Sequence, residues 1–396
     1  MKIHDVVVVG GGPAGATAAT DLASEGYSVM LLDRPGRIKP CGGAIPPRLI
    51  RDFAIPDHLL VARARSARMI SPKNREVDMP IDGGFVGMVD RADFDEWLRE
   101  RAVRAGAVRV DGQYQALRRD EDGKAVIEFA PHGSGEKNKL ERVGARIVVG
   151  ADGARSRVAL DAMPETKPPR CVFAYHEIIQ SPETGNGTFD PGRCDVYYQG
   201  RLSPDFYAWI FPHGATTSIG TGSAHKGFSL RGAVSALRRQ CGMVDNETVR
   251  TEGAPIPYKV RKRWDNRNDV ILAGDAAGAV APSSGEGIYY AMRSGRLAGG
   301  AVAEALESGD SRALALARKR FMKENRRIFQ ILGMMQWFWY SSDQRRERFV
   351  SICRDPDVQR LTWQAYMNKK LVKAKPLTHS RIFFKDLAHL LRVVSP

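Results

Sequence analysis

A glycine-rich turn between two apolar strands constrains the fold more than any other feature of this sequence. The short β-branched run over 3–9 predicts a buried parallel strand, followed by an alanine-rich helix over 16–25 and a second strand over 27–32. The turn between the first strand and the helix is Gly10-Gly11-Gly12-Pro13-Ala14-Gly15. Strand, turn, helix and strand at this spacing are typical of a βαβ unit that binds a dinucleotide.

The residues of this unit have separate predicted tasks. Gly10 makes the turn, Gly12 lets a pyrophosphate approach the backbone, and Gly15 lets the helix pack on the sheet. The helix N-terminus offers N–H groups and a positive dipole to the phosphates. Asp33 ends the second strand, where a carboxylate accepts hydrogen bonds from an adenosine ribose. The predicted cofactor contacts here are Gly10, Gly12, Pro13, Ala14, Gly15, Asp33 and Arg34.

Two later segments help to identify the dinucleotide. Residues 147–153 predict a strand that ends in a glycine-acid turn at Asp152, and residues 270–278 repeat this pattern with Asp275. A carboxylate at such a strand end accepts hydroxyl hydrogen bonds strongly. N–H groups at the start of the helix that follows would stabilise negative charge on a bound cofactor. The second segment leads into that helix through Gly285, Gly287 and Ile288.

The βαβ unit and the two segments that end in Asp152 and Asp275, in this order, resemble the flavoprotein family that includes aromatic hydroxylases and geranylgeranyl reductases. The resemblance implies that the cofactor is FAD, that Asp275 binds its ribityl hydroxyls, and that the helix from Ile288 faces the flavin pyrimidine edge. It also implies that Arg91, in the segment 90–98, lies against the flavin cofactor. The alternative for Arg91 is an exposed residue in the first turn of a helix.

One aromatic segment discriminates between reactions that a flavin can support. Residues 204–212, Pro-Asp-Phe-Tyr-Ala-Trp-Ile-Phe-Pro, resemble the Pro-x-x-Tyr-x-Trp-x-Phe-Pro motif of geranylgeranyl reductases. On a strand, Tyr207, Trp209 and Phe211 share one face because side chains alternate with period two. That face would suit a long isoprenoid, so these three residues are predicted to bind substrate. The alternative is that they face an ordinary core.

A second segment, Lys39-Pro40-Cys41-Gly42-Gly43-Ala44, matches the cysteine-glycine loop beside the flavin in the same family. The resemblance places Cys41, Gly42 and Ala44 among the cofactor contacts. A lone cysteine is usually a small buried hydrophobe, but one between proline and two glycines is less suited to a core. Proton donor, substrate gate and tight-turn residue remain open as roles of Cys41. Together with Tyr207 and Trp209, it is a predicted catalytic residue.

The resemblance covers essentially the whole chain, and residues 355–369 resemble the chlorophyll-branch enzymes in particular. It implies a reductase that uses FAD, with NADPH as the electron source, to saturate three of four double bonds of a geranylgeranyl side chain and give phytyl. The side chain would be carried by bacteriochlorophyll or by diphosphate, and bacteriochlorophyll synthase is an implied partner. Because no second dinucleotide fingerprint occurs in the sequence, NADPH is expected to dock transiently.

The fold class that follows is α/β with an α+β insertion. A Rossmann-type FAD-binding domain of the aromatic-hydroxylase type is predicted over 1–70, 85–165 and 262–310. An antiparallel β substrate domain is predicted over 71–84 and 166–261, because short alternating runs are separated there by turn residues. From 311 to 396 the pattern becomes helical, basic and rich in aromatic residues, after a stop and cap at Ser308-Gly309-Asp310.

Charge and cysteine content limit the location of the protein. The net charge is +15, and residues 311–396 hold 19 Lys and Arg against 6 Asp and Glu, a local charge of +13. No nucleic-acid motif accompanies this charge, which favours an anionic membrane surface over nucleic acid; the alternative is a solvated basic helix face.

Five cysteines without a CxxC pair argue against a zinc site and for a reducing compartment. Without an apolar run of about 20 residues or a signal peptide, a cytoplasmic protein bound peripherally to the photosynthetic membrane is expected.

Other functions remain open at this stage. The FAD segments alone fit a flavin monooxygenase equally well, since the fold does not fix the reaction. Within the family, a reductase of other geranylgeranyl lipids is the nearest alternative. A non-catalytic flavoprotein whose basic tail binds membranes or partners is a third.

Overall fold

The computed structural model describes residues 1–36, 38–133, 139–183 and 189–369. It divides into two compact units, each built from separate stretches of chain. The first unit comprises 1–39, 91–171 and 255–329; the second comprises 40–90, 172–254 and the described residues from 330 onward. The chain thus passes from the first unit to the second after Lys39, whereas the sequence placed a domain boundary at 70. The assignment of FAD binding and substrate binding to separate domains stays a prediction.

Sixteen strands are present in the described residues. In chain order they are β1 (Ile3–Val9), β2 (Val29–Asp33), β3 (Ala44–Ile45), β4 (Ala62–Ala64), β5 (Ser66–Ile70), β6 (Glu76–Pro80), β7 (Val86–Met88), β8 (Val108–Arg119), β9 (Ala125–Pro131), β10 (Glu141–Gly150), β11 (Cys171–Gln180), β12 (Arg193–Tyr197), β13 (Ala208–His213), β14 (Thr216–Ser223), β15 (Thr248–Pro257) and β16 (Val270–Leu272).

The helices are concentrated in the last third of the described chain. They are α1 (Pro13–Ser24), α2 (Pro47–Asp52), α3 (Arg91–Arg104), α4 (Arg157–Ala162), α5 (Leu230–Gln240), α6 (Ile288–Ser308), α7 (Ala315–Trp339), α8 (Asp343–Ile352) and α9 (Pro356–Asn368). Short 3-10 turns occupy Asp57–Leu59, Gly274–Ala277 and Ser311–Leu314.

A largely parallel sheet forms the centre of the first unit. β1 lies between β2 and β10 and pairs with both in parallel, while β8 extends the sheet beyond β2 and β16 extends it beyond β10. Val6, Val7 and Val8 are completely buried, as expected for a parallel strand that is covered on both faces. The predicted βαβ unit is confirmed, although its helix begins at Pro13 rather than at residue 16.

The second unit is built on a mixed sheet with the strand order β15-β11-β14-β13-β12-β5-β6. Most neighbours pair antiparallel, as predicted, but β12 and β5 pair in parallel from Arg193 and Ser66 onward. The sheet was predicted to be antiparallel, and this one pair departs from that pattern. Parallel neighbours need a long crossover connection, and the chain between β5 and β12 supplies one. A small separate sheet has the order β3-β7-β4.

The change to helical structure after residue 310 is confirmed as far as residue 369. α6 ends at Ser308, Gly309 adopts a left-handed φ of +69°, and the Asp310 carboxylate accepts a hydrogen bond from the Arg312 N–H at 2.9 Å. Glycine at this position ends a helix without a steric penalty. Residues 370–396, the rest of the predicted C-terminal region, lie outside the described residues. None of the described helices has the length and apolar character needed to cross a bilayer.

Candidate functional site

The three glycines of the β1–α1 turn are needed for different reasons. Gly10 has a φ of +105°, and a Cβ there would lie 2.4 Å from the carbonyl oxygen of Ala151. A Cβ on Gly15 would lie 1.9 Å from the carbonyl oxygen of Gly10, so helix and turn are in close contact. A Cβ on Gly12 would meet no described atom within 4 Å. The chain itself requires Gly10 and Gly15, whereas at Gly12 it leaves open space that a bound group can approach.

Two helices of the first unit, α1 and α6, begin directly after a glycine. Within the described part of the chain no side chain caps α1, which starts at Pro13, and the same holds for α6, which starts at Ile288 after Gly287. The loop before α6 is closed by a hydrogen bond from the Gly285 N–H to the Ala281 carbonyl at 3.1 Å. The first N–H groups of a helix lack intrahelical acceptors and attract anionic groups. Both predicted helix starts are therefore available to a polar ligand.

Asp33 ends β2 as predicted, but it has a neighbour that the sequence did not reveal. Arg99, on α3, places Nη1 3.3 Å from Asp33 Oδ2, and its Nη2 lies 2.8 Å from Glu96 Oε2. Arg99 is buried, whereas Arg34 is exposed. Only the packing of α3 against the end of β2 identifies Arg99, because no local motif marks it. The pair fixes the Asp33 carboxylate at the end of the strand.

Asp152 has a structural task. One carboxylate oxygen accepts a hydrogen bond from Ser156 Oγ at 2.5 Å, and the other accepts from the N–H groups of Arg157 at 2.7 Å and Val158 at 3.2 Å. Burial raises the pKa of the Asp152 carboxyl, and these hydrogen bonds oppose the rise. The side chain thus holds the start of α4, and its contact with a cofactor stays a prediction.

Asp275 is buried in the 3-10 turn after β16 and forms an ion pair with Lys39. Its side chain is 5% exposed, compared with 34% for Lys39. Lys39 is the first residue of the predicted cysteine-glycine segment, but it was not among the predicted site residues. The ion pair orients the Asp275 carboxylate, and the predicted contact with ribityl hydroxyls stays a prediction.

Arg91 is buried at the start of α3 rather than exposed. Its guanidinium donates two hydrogen bonds to Asp95, from Nε to Oδ1 at 2.9 Å and from Nη2 to Oδ2 at 2.7 Å. Both side chains are 4% exposed. The alternative of an exposed first-turn residue is therefore wrong, and contact with a flavin stays a prediction.

The first unit fits FAD on its own geometry. The open space at Gly12, the two helix starts without side-chain caps, and the carboxylate of Asp33 at a parallel strand end match what a dinucleotide requires. The residues that would hold it are those of the β1–α1 turn, Asp33 and the loop before α6.

The predicted aromatic face is present in the second unit. Ring centroids lie 6.0 Å apart for Tyr207 and Trp209, and 6.1 Å apart for Trp209 and Phe211. Trp209 is 6% exposed, whereas Tyr207 and Phe211 are half-buried. The three rings therefore form a continuous row along the start of β13. They lie together, as the period-two alternation of side chains on a strand predicted.

The cysteine-glycine loop contacts the same strand within the second unit. A Cβ on Gly42 would lie 3.0 Å from two ring carbons of Phe211, and a Cβ on Gly43 would lie 2.4 Å from Nε2 of His213. The Gly43 N–H donates to Cys41 Sγ at 3.4 Å, and Cys41 and Ala44 are half-buried. Two motifs far apart in sequence are thus in contact, which no sequence pattern indicated.

His213 is a site residue that the sequence analysis missed. It follows the aromatic motif directly, and its Nδ1 lies 3.1 Å from the carbonyl oxygen of Phe211. Burial lowers the pKa of His213 to about 4, although the Phe211 carbonyl and Asp90 act in the opposite direction. The ring is therefore neutral at pH 7, with Nδ1–H donating to Phe211, and it supports the cysteine-glycine loop.

Helix α9 packs against the same buried clusters as the aromatic residues. Trp363 packs with Phe211 against one buried cluster around Ala64 and Met88, and with Tyr207 against another around Met79 and Tyr198. The sequence indicated only that residues 355–369 resemble one branch of the family. In the structure, Trp363 of this segment packs against the same two clusters as the two ends of the aromatic row.

Comparisons with known proteins agree on a flavoprotein. The family model described as "FAD binding domain" matches residues 4–167, and the model described as "Lycopene cyclase protein" matches residues 217–384. A geranylgeranyl diphosphate reductase from Rhodobacter capsulatus is 58% identical over 99% of both chains. One from Synechocystis is 34% identical over 98% of both.

A solved structure supports the fold. A geranylgeranyl bacteriochlorophyll reductase-like protein from Thermoplasma acidophilum matches 94% of this chain and 98% of its own, with a TM-score of 0.81 and 22% sequence identity. At this identity the likeness concerns the fold alone. It agrees with the predicted FAD-binding fold and helical C-terminal region.

Proposed function

The chain belongs to the geranylgeranyl reductase family of FAD-dependent oxidoreductases, and on that premise we propose that it saturates three double bonds of a geranylgeranyl side chain to give phytyl. The observation that carries the proposal is 58% identity over 99% of both chains to a relative of that name. The side chain is carried by bacteriochlorophyll or by diphosphate. Reduction of other geranylgeranyl lipids is the alternative.

The chemistry requires more than an electron source. An isolated trisubstituted alkene is not polarised by a carbonyl, so addition of hydride needs protonation of the less substituted carbon. Positive charge then develops on the tertiary carbon. FAD, when bound and reduced, would supply the hydride. The faces of Tyr207 and Trp209 stabilise such a charge, since a desolvated cation over a ring gains about 0.5–2 kcal/mol.

The row of rings also gives the substrate a surface along which to move. The rings of Tyr207, Trp209 and Phe211 are adjacent, so successive alkenes of one chain can be presented along their faces without breaking polar contacts. The apolar row excludes water, which protects a developing cation from capture. Half-buried Tyr207 and Phe211 supply the accessible part of this surface, and buried Trp209 lies between them.

Two side chains are candidates for the proton donor. Cys41 lies in the loop that contacts Phe211, and the N–H of Gly43 donates to its sulfur. Tyr207 carries a phenol next to Trp209, and its ring stacks on Phe206 with centroids 4.2 Å apart. A bound water is the third candidate. The catalytic roles of Cys41, Tyr207 and Trp209 are part of this proposal.

NADPH is the proposed reductant of the flavin. The glycine fingerprint of the β1–α1 turn is accounted for by FAD, and the sequence contains no second one. NADPH therefore docks transiently, transfers its electrons and leaves. Flavin reduction by NADPH in the absence of an isoprenoid, followed by absorbance, is the direct measurement.

Peripheral binding to the cytoplasmic face of the photosynthetic membrane completes the proposal. α7 exposes an apolar stripe: Ile331 is 38% exposed, Met334 61% and Trp337 75%. Tryptophan and basic residues favour an anionic lipid surface. Bacteriochlorophyll synthase is the proposed partner, because a geranylgeranylated pigment must reach this enzyme from such a reaction. Nucleic acid is not a proposed partner.

Mass analysis of products tests the function. Purified protein receives NADPH and either geranylgeranylated bacteriochlorophyll or geranylgeranyl diphosphate, and each product is expected two hydrogens heavier than the last. Oxygenated products would support a monooxygenase instead. Because one hydride is delivered per turnover, dihydro and tetrahydro intermediates should appear in sequence.

Trp209→Ala locates the reaction within the chain. We expect alkene reduction to slow about 2- to 30-fold, which corresponds to the cation–π gain, with flavin content unchanged. Trp97→Ala is the matched control, because it also removes an indole but one outside the aromatic row. Trp97 lies on α3 in the first unit, and the guanidinium of Arg101 lies over its ring. Unaltered turnover in a Trp209→Ala, Cys41→Ala double variant would move the reaction away from these residues.

A further inference from the structure

A buried polar chain lies behind the aromatic row, within the second unit. Trp209 Nε1 donates to Ser218 Oγ at 3.1 Å, Ser218 Oγ lies 3.0 Å from His176 Nδ1, and His176 Nε2 lies 2.8 Å from Glu252 Oε2. Ser218 is completely buried and His176 is 2% exposed. Ser218, His176 and Glu252 belong neither to the aromatic motif nor to the cysteine-glycine loop.

Strand register brings these residues together. His176 on β11 and Trp209 on β13 both stand opposite Gly220 on the intervening strand β14. A Cβ on Gly220 would lie 2.2 Å from Trp209 Cζ2 and 2.6 Å from His176 Cβ. The indole therefore occupies the space above Gly220, and its centroid lies 6.2 Å from that of the imidazole. The position of Trp209 depends on both neighbouring strands.

The chemistry of the groups sets the direction of the hydrogen bonds. An indole N–H only donates, so Ser218 Oγ accepts from Trp209 and its hydroxyl hydrogen is free to point to His176 Nδ1. A carboxylate only accepts, so His176 donates from Nε2 to Glu252. Arg250 forms ion pairs with two carboxylates, with Nε 2.9 Å from Glu252 Oε1 and Nη2 3.2 Å from Asp90 Oδ2. One tautomer of His176 satisfies every contact.

From this chain we infer that His176 is a positioning residue for alkene reduction: through Ser218 it holds the indole of Trp209 in the orientation that stabilises the developing cation. The inference rests on the proposed function. A proton relay through Trp209 is excluded, because the indole N–H is not an acid at ordinary pH and has no acceptor site. Orientation of the ring face is what the chain can supply, since cation–π attraction depends on the face.

Two variants break the chain at different points. Ser218→Ala removes the acceptor of the indole N–H, and His176→Phe keeps a ring but removes both polar contacts. Each should lower kcat for alkene reduction about three- to tenfold, as expected for one buried hydrogen bond, and leave KM nearly unchanged. His176→Asn, whose amide can replace Nδ1, should restore part of the lost rate.

A matched control lies next to Ser218. Thr217 is equally buried on β14 but points to the other face, where its hydroxyl lies 2.8 Å from Ser181 Oγ. Thr217→Val removes one buried hydroxyl from the same strand and should leave kcat unchanged. If Thr217→Val and Ser218→Ala lowered kcat equally, the effect would be a general weakening of the sheet, and the inference would be wrong.

A measurement independent of activity separates this inference from the proposed function. The indole 15N–1H resonance of Trp209, identified by its loss in Trp209→Phe, should shift in Ser218→Ala and in His176→Phe but not in Thr217→Val. In the Trp209→Phe background, Ser218→Ala should no longer change kcat. A shifted resonance with unaltered kcat would overturn the positioning role. Lack of alkene reduction by the wild-type protein would overturn the function, while the resonance would still test the contact.

Discussion

Gly42 lies directly against the ring of Phe211, so close that a Cβ on Gly42 would be 3.0 Å from Cδ2 and Cε2 of that ring. The cysteine-glycine loop and the aromatic strand are therefore one surface within the second unit. The side chain that glycine lacks is what permits this contact.

Gly42→Ala should disturb the aromatic row. The added methyl group requires Phe211 to move by a few tenths of an ångström, and misplacement of a positioning group lowers turnover. We expect alkene reduction to fall about tenfold with little change in flavin content. Gly84→Ala is the control, since its Cβ would come no closer than 3.5 Å to a neighbour. Equal turnover of both variants would contradict the prediction.

Gly12→Val should lose FAD without losing the fold. A Cβ on Gly12 meets no described atom within 4 Å, so the chain tolerates a side chain that a pyrophosphate does not. Flavin absorbance of the purified protein and thermal unfolding of its flavin-free form check the two halves of this expectation. Gly300→Val, at an equally open position on α6, should keep its yellow colour.

Gly15→Val should behave in the opposite way. Its Cβ would lie 1.9 Å from the carbonyl oxygen of Gly10, so α1 can no longer pack on the turn. We expect loss of soluble protein or a destabilisation of several kcal/mol, at the upper end of single substitutions (about 4–5 kcal/mol). A stable Gly15→Val protein that merely lacks flavin would show that the turn is less tightly packed than the structure indicates.

His213 should make stability depend on pH. Burial lowers the pKa of His213 from 6.5 to about 4, so between these values the unfolded chain binds the proton that the folded chain does not. The free energy of unfolding therefore falls as pH falls through this window, by up to about 3 kcal/mol from this group. Urea unfolding of wild type and His213→Gln at pH 7 and 4.5 should show the wild-type advantage shrinking. If the difference in the free energy of unfolding between wild type and His213→Gln were the same at both pH values, the prediction would be wrong.

Membrane binding should have an electrostatic and an apolar part. A truncation after Gly309 would remove Phe321 and Phe329, whose rings pack on Tyr290, so a shorter deletion is preferable. Removing 370–396, which hold six basic residues and one acidic residue, should weaken binding to anionic vesicles and reduce its dependence on salt.

Trp337→Ser separates the apolar part. This ring is 75% exposed, so its loss should weaken co-sedimentation with vesicles while the dependence on salt stays the same. Ser341→Ala, at an exposed position beyond the end of α7, is the control. Binding that ignores both salt and anionic lipid would show that the basic C-terminal region has another partner.

Local patterns were sufficient wherever one element carries its own signal. The β1–α1 turn, the end of α6 at Ser308 and the alternation through Tyr207, Trp209 and Phe211 were all predicted, because strand period, helix stops and glycine turns are properties of neighbouring residues. The parallel pairing of β12 with β5 was not predicted. Strand direction depends on the path of a long connection, which no local pattern encodes.

By itself the sequence determined the dinucleotide unit and the aromatic strand, since each is encoded by residues within one short segment. Only the tertiary structure decided that Gly42 touches Phe211, that Arg99 holds Asp33, and that His176 reaches Trp209 across Gly220. Such contacts join distant segments through register and packing. They depend on which residue lacks a side chain, or has a buried one, at the place where two segments meet. Those segments meet only in the folded sheets.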